Sequence, residues 1–171
     1  MVRLALLSLL LFAAPAFASD APDAKALAVL PNFAVQTPTL STSGKLQAGD
    51  VAVVAKAGIL HVINLRPASE TPDFDEATAV GDAGMRYHSL PIRGAQDLTV
   101  ENVAQFDRLI NEVGEQSTLI HCSSSNRVGA MQALRAAWIQ GKPTDVALAE
   151  GRRWGLKGLE AEVRDRLAAA R

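Results

Sequence analysis

Apolar positions recur along this chain in two periods, and the switches between them mark its elements. Ile59-Leu60-His61-Val62-Ile63-Asn64-Leu65 is a β-rich run stopped by Arg66-Pro67, which predicts a strand. Leu119-Ile120-His121-Cys122 predicts a second, short and buried strand, Phe33-Ala34-Val35 an edge strand, and Met85 to Ile92 a further extended segment. Helical spacing governs the rest. Thr99 is a good N-cap, and behind it Val103, Phe106, Ile110 and Val113 form one apolar stripe up to Gly114. Val128, Met131, Leu134 and Trp138 do the same up to Gly141 and Pro143. Helices are also predicted over Leu46 to Lys56, Asp73 to Ala83, Thr144 to Trp154 and Leu159 to Ala169. Strands alternating with helices imply parallel pairing through crossovers, hence an α/β fold whose sheet carries helices on its faces. Ligands of such sheets collect outside the carboxyl ends of the strands, where Asn64, Arg66 and Cys122 fall.

A chain of 171 residues suits one domain with its own core. Its first residues read differently. Arg3, the apolar run Leu4 to Ala14 and then Ala16-Phe17-Ala18 have the layout of a secretory signal, with cleavage expected after Ala18. That run is well short of the roughly 20 apolar residues that span a bilayer, and no later segment is apolar enough, so no membrane span is expected in the mature form. A bacterial periplasm is the expected location. Ser19 to Pro31, rich in Ala, Asp and Pro, reads as a linker, and the domain is expected to run from 32 to 171. Seventeen basic against eighteen acidic residues give no field that would draw in nucleic acid or an anionic membrane. His61, His88 and His121 are not spaced as metal ligands, so neither metal nor other cofactor is expected. The single cysteine, Cys122, can form no disulfide within the chain; it is inert and buried, linked to another chain, or a reactive thiol.

The neighbours of Cys122 favour the reactive thiol. His121-Cys122-Ser123-Ser124-Ser125-Asn126-Arg127 runs from a strand end into a helix start. Amides of a short loop and of a first helical turn can converge on one point, which the helix dipole makes electropositive. A thiolate or an oxyanion is stabilised there, and Arg127 adds a permanently charged, bidentate clamp. Arg66 is a secondary anion contact, Trp138 and Trp154 read as core, and His121 points away from the face used by Cys122.

This loop resembles the Cys…Arg loop of cysteine-dependent phosphatases, with four intervening residues rather than the usual five; four is also the spacing of rhodanese-type sulfurtransferases. Together with Ile63-Asn64-Leu65-Arg66-Pro67, Tyr87 to Pro91 and Leu98-Thr99, it resembles the beta-lactamase-hydrolase-like phosphatase-like domain family, over roughly Phe33 to Trp138. The resemblance implies a protein-tyrosine-phosphatase-like layered fold and hydrolysis of a phosphorylated small molecule or protein through a phosphocysteine. It makes Cys122 the nucleophile, Arg127 the clamp, and the amides of Ser123, Ser124, Ser125 and Asn126 the cradle. Asp97, before the Thr99 helix, is the candidate general acid. Many relatives carry Gly where this chain has Ser125, so a residue needing positive φ is strained there unless Asn126 takes that conformation instead. Val128 stands where such loops place a hydroxyl that helps the thiolate leave, which implies slow breakdown of the intermediate. Sulfur transfer through a persulfide on Cys122, and an idle anion-binding or interaction module, are the alternatives.

Overall fold

The computed structural model describes residues 21–169, so the expected signal segment lies outside the described residues. Within that range five strands form one sheet, β1 (Ala34–Val35), β2 (Leu40–Ser43), β3 (His61–Asn64), β4 (Arg86–Ser89) and β5 (Thr118–His121), in the order β1-β2-β5-β3-β4. Strand β1 pairs antiparallel with β2, while β2, β5, β3 and β4 run parallel. Among the described residues seven helices accompany them: α1 (Ala24–Leu27), α2 (Ala48–Lys56), α3 (Glu76–Asp82), α4 (Val100–Val113), α5 (Asn126–Trp138), α6 (Thr144–Arg153) and α7 (Glu160–Ala169).

The helices divide between two faces, and side-chain alternation along the strands supplies a core to each. Ile63, Leu65, Ile120 and Cys122 pack with Phe106, Met131, Leu134 and Val163 from α4, α5 and α7. Val62 and Leu119 pack the other way, with Leu27, Val54 and Val80 from α1 to α3. Thr99 caps α4 by accepting from the Asn102 amide at 3.3 Å, and the whole predicted stripe of that helix is buried.

Part of the expected linker belongs to the core: Asp23 caps α1 through the Lys25 and Ala26 amides, and Leu27 and Leu30 are buried. The sequence also hides β2. Leu-Ser-Thr-Ser lacks a strand's apolar signature, yet all four residues are buried and β2 pairs directly with β5. In register, Ser43, His121, Asn64 and Ser89 end four adjacent parallel strands, so everything that follows them shares one rim.

Candidate active site

At that rim, β5 gives way to Cys122–Ser125 and then to α5. Ser125 is the residue just before the helix and takes φ +63°, the left-handed region, while Asn126 is already helical. The left-handed residue is therefore Ser125 itself, and the helix begins at Asn126, two positions ahead of Val128, the first residue of the apolar stripe. The Ser125 side chain makes no capping bond, so the first amides of the helix are left for another acceptor. Neighbouring backbone holds the rest of the loop: the Lys45 amide donates to the Ser123 carbonyl at 3.2 Å, and Gly44 forms a bridge with Ser124.

Cys122 and Arg127 meet on the α4–α7 side of the sheet. Cys122 is 1% exposed, and Arg127, five residues on, turns back over the same loop to bond Ser123. Arg127 is itself only 9% exposed, and its guanidinium is fully directed. Nη1 donates to Glu70 Oε1 at 2.7 Å and to the Ile92 carbonyl at 2.7 Å; Nη2 donates to Glu70 Oε2 at 2.8 Å and to Ser123 Oγ at 2.7 Å. None of these four bonds uses Nε. The bidentate hydrogen bond from Arg127 holds the Glu70 carboxyl down at about 2, against the cost of its burial and with help from Ser123 and Arg66. Reciprocally, Glu70 raises the Arg127 pKa above its ordinary value.

Arg66 meets the loop on a shared acid: its buried guanidinium donates from Nε to Glu70 Oε2 at 3.2 Å, the oxygen that also binds Ser123 and Arg127, and from Nη2 to the Glu70 carbonyl at 2.6 Å. It also borders a cavity of about 470 Å³ with Asn64, Glu76 and Tyr87, on the α2–α3 side of the rim. A smaller cleft of about 180 Å³ opens beside Glu70 between Lys45, Gln47, Pro72 and Phe74.

Asp97 lies in a short 3₁₀ turn, Ala95–Asp97, and its carboxylate is gripped by Arg93: Nε at 2.9 Å, Nη2 at 3.0 Å and the backbone amide at 2.8 Å. Those bonds hold the Asp97 carboxyl below the usual range, which is the reverse of what a proton donor requires. His121 does point away from Cys122, with Nε2 at 2.6 Å from Glu76 Oε1 in a wholly buried pair. Val128 is fully buried and places no hydroxyl near the thiol. The Asn126 side chain turns out of the loop, where Oδ1 accepts from the Lys157 and Leu159 amides at 2.8 and 3.3 Å, so only its backbone amide is available to a cradle.

Glu70 escapes a reading of the sequence because it works on Arg127 across 57 residues. Its one local sign is an acid four positions after Arg66, just beyond a strand that stops at Arg66-Pro67.

Comparison with known proteins gives this geometry its context. The family model described as beta-lactamase hydrolase-like protein, phosphatase-like domain, matches residues 32–139. Beta-lactamase hydrolase-like protein from Xylella fastidiosa (strain Temecula1 / ATCC 700964) is 32% identical over 99 residues, 56% of this chain and 22% of the relative. The chain thus spans about a fifth of the length of the curated relatives it matches. Among solved structures, a candidate phosphatase of Shewanella putrefaciens CN-32 superposes with a TM-score of 0.68 at 25% identity, covering 85% of this chain and 97% of that one. One from Neisseria meningitidis z2491 gives 0.64 at 27% identity, covering 80% and 96%. P. aeruginosa TpbA in complex with phosphotyrosine gives 0.60 at 24% identity, covering 81% and 89%, a likeness of fold. The layered, mostly parallel architecture is thus that of protein-tyrosine-phosphatase-like proteins.

Proposed function

Because this chain belongs to the phosphatase-like domain family of beta-lactamase hydrolase-like proteins, we propose that it is an exported, cysteine-dependent phosphatase working through a phosphocysteine. One observation carries the reading: the loop after Cys122 is closed by Arg127, whose Nη2 donates back to Ser123 Oγ, and it ends in a left-handed residue with uncapped helix amides. Such a loop offers an anion its amides, a helix dipole and a fixed positive charge together.

In the proposed reaction, Sγ of Cys122 attacks phosphorus and the bond from phosphorus to the ester oxygen breaks. Arg127 holds the equatorial oxygens, with Nε and Nη2 as the natural bidentate edge once the phosphoryl group replaces Ser123 Oγ. The leaving oxygen takes a proton; Asp97 can deliver it only after Arg93 releases the carboxylate. Water then attacks the phosphocysteine, phosphate departs and the thiol is restored. A phosphotyrosyl or related aryl phosphate is the proposed substrate class, supported by the phosphotyrosine complex of a protein with the same fold. Export is supported by the signal-like pattern ending at Ala18, and N-terminal sequencing of the periplasmic protein checks it.

The test is hydrolysis of aryl phosphates by the mature protein. Activity abolished by Cys122→Ser is the expected result, and activity unchanged by that substitution overturns the mechanism. Cyanide-dependent release of thiocyanate from thiosulfate would instead indicate sulfur transfer. An idle anion-binding module is a second reading, favoured by the 1% exposure of Cys122 and the missing hydroxyl at Val128. Phosphate binding by calorimetry without turnover of either substrate selects it.

A further inference from the structure

The back of the anion loop is covered by the turn between α6 and α7, which lies beyond the residues matched by the family. Contact there is closer than side chains would allow. A Cβ added to Gly155 would fall 2.5 Å from Ser125 Cβ and 3.0 Å from the Ser125 carbonyl oxygen, and Gly155 takes φ +103°. A Cβ added to Gly129, in the first turn of α5, would fall 2.1 Å from the Leu156 nitrogen. The backbone of the turn therefore touches the backbone of the loop directly. Polar bonds fix the same junction: Asn126 Oδ1 accepts from the Lys157 and Leu159 amides, and the Leu156 amide donates to the Gly151 carbonyl at 2.8 Å.

This arrangement explains how a serine tolerates the left-handed region. A Cβ at position 125 disfavours that conformation, and such a residue persists only when its surroundings over-determine it. Here the space for the Ser125 Cβ exists because position 155 has none. The αL turn at Ser125 in turn sets the direction of the following amides at the mouth of the loop.

We propose that Gly155 and the Asn126 carboxamide make the α6–α7 turn a positioning element of the anion loop, locking Ser125 in the conformation that presents the loop amides to an oxyanion. The inference rests on the loop's being an anion site, as in the proposed function, but not on turnover.

The experiment is calorimetric titration of the mature protein with sulfate, alongside the rate of Cys122 alkylation by iodoacetamide and thermal unfolding. Gly155→Ala and Asn126→Ala are each expected to weaken sulfate binding about tenfold, as loss of one charge-assisted hydrogen bond does, and to slow alkylation. Ser125→Gly added to Gly155→Ala removes the Cβ contact and is expected to restore part of the affinity. Leu167→Ala, a core change in α7, is expected to lower Tm while leaving sulfate affinity intact. Unchanged affinity in Gly155→Ala and Asn126→Ala overturns the inference, as does equal weakening by Leu167→Ala at a similar Tm. Should Gly155→Ala fail to fold, Asn126→Ala decides alone. If the wild type binds sulfate but hydrolyses nothing, the phosphatase reading fails and this one stands; if it binds none, both fall.

Discussion

Glu70 grips Arg127 through both carboxylate oxygens, at 2.7 and 2.8 Å, and does so from the Nη1–Nη2 edge of the guanidinium. The carboxylate is also held by Ser123 Oγ at 2.9 Å and by Arg66 Nε at 3.2 Å, so three side chains converge on one acid. Because the planar guanidinium has a second bidentate edge, an acid on the first fixes the orientation of the second.

Two roles for Glu70 predict opposite signs. As an orienting partner, its replacement in Glu70→Gln should weaken phosphate binding about tenfold, or ~1.4 kcal/mol, a modest cost because the pair is partly exposed. As an occupant of the anion's place, its replacement should tighten binding. Calorimetry with inorganic phosphate distinguishes them, and weakening is expected. The same variant has a stability signature. A carboxyl that titrates at about 2 when folded and near its ordinary 4.5 when unfolded stabilises the protein above that ordinary value. This contribution is lost as pH falls from 4.5 through about 2, so Glu70→Gln should flatten acid destabilisation in that window.

Arg93 should govern the proton donor. Its bonds keep Asp97 charged, and Arg93→Ala is expected to let the Asp97 carboxyl rise toward its ordinary value. If Asp97 delivers the proton, the basic limb of kcat/KM for phosphotyrosine moves to higher pH in Arg93→Ala and disappears in Asp97→Asn. A limb that stays fixed in both variants removes Asp97 from the mechanism.

How much of this site is legible in the sequence depends on the range of the signal. The α4 stripe, the β5 strand and the Cys122–Arg127 loop are local patterns, and each stands where its residues indicate. The strand β2 is invisible because Ser41, Thr42 and Ser43 look like a turn. Their hydroxyls are tolerated in the sheet partly by bonds such as Ser43 Oγ to the Gly44 carbonyl and Gln36 Nε2 to Thr42 Oγ1. Glu70 and Gly155 are invisible for another reason: each acts on the loop across dozens of residues, and no local spacing encodes a partner brought by the fold. Whether the left-handed turn falls at Ser125 or at Asn126 is not legible in the sequence, because uncapped helix starts carry little local signal; it falls at Ser125.

A histidine pair at the β3–β4 junction adds a pH dependence away from the loop. His61 Nδ1 lies 3.0 Å from His88 Nε2, with the rings stacked at 5.2 Å, so one ring must donate and the other accept. Burial first, and His61 second, push the His88 pKa below its ordinary 6.5. The sign follows: the unfolded chain takes up the proton more readily, so stability is full above about 6.5 and is lost as pH falls through the folded value. Urea midpoints should fall between about pH 7.5 and about pH 5, and His88→Gln should remove that component of the slope.

The buried Val128 carries the last prediction, because it stands one residue past Arg127 in the same core cluster as Cys122. In a two-step mechanism the thiolate must leave phosphorus, and a neighbouring hydroxyl lowers that barrier by donating to the developing charge. Valine offers no donor, so breakdown of the phosphocysteine should limit turnover and aryl phosphate should show a burst of phenol release. Val128→Thr keeps the shape and adds the donor. Burying an unpaired hydroxyl costs about 1–3 kcal/mol, so Tm should drop by several degrees if the introduced hydroxyl finds no acceptor in the resting protein. Turnover should nevertheless rise about tenfold, the effect of ~1.4 kcal/mol on a barrier, and the burst should shrink. A faster first step with an unchanged steady state would show that release from Cys122 is not the slow step.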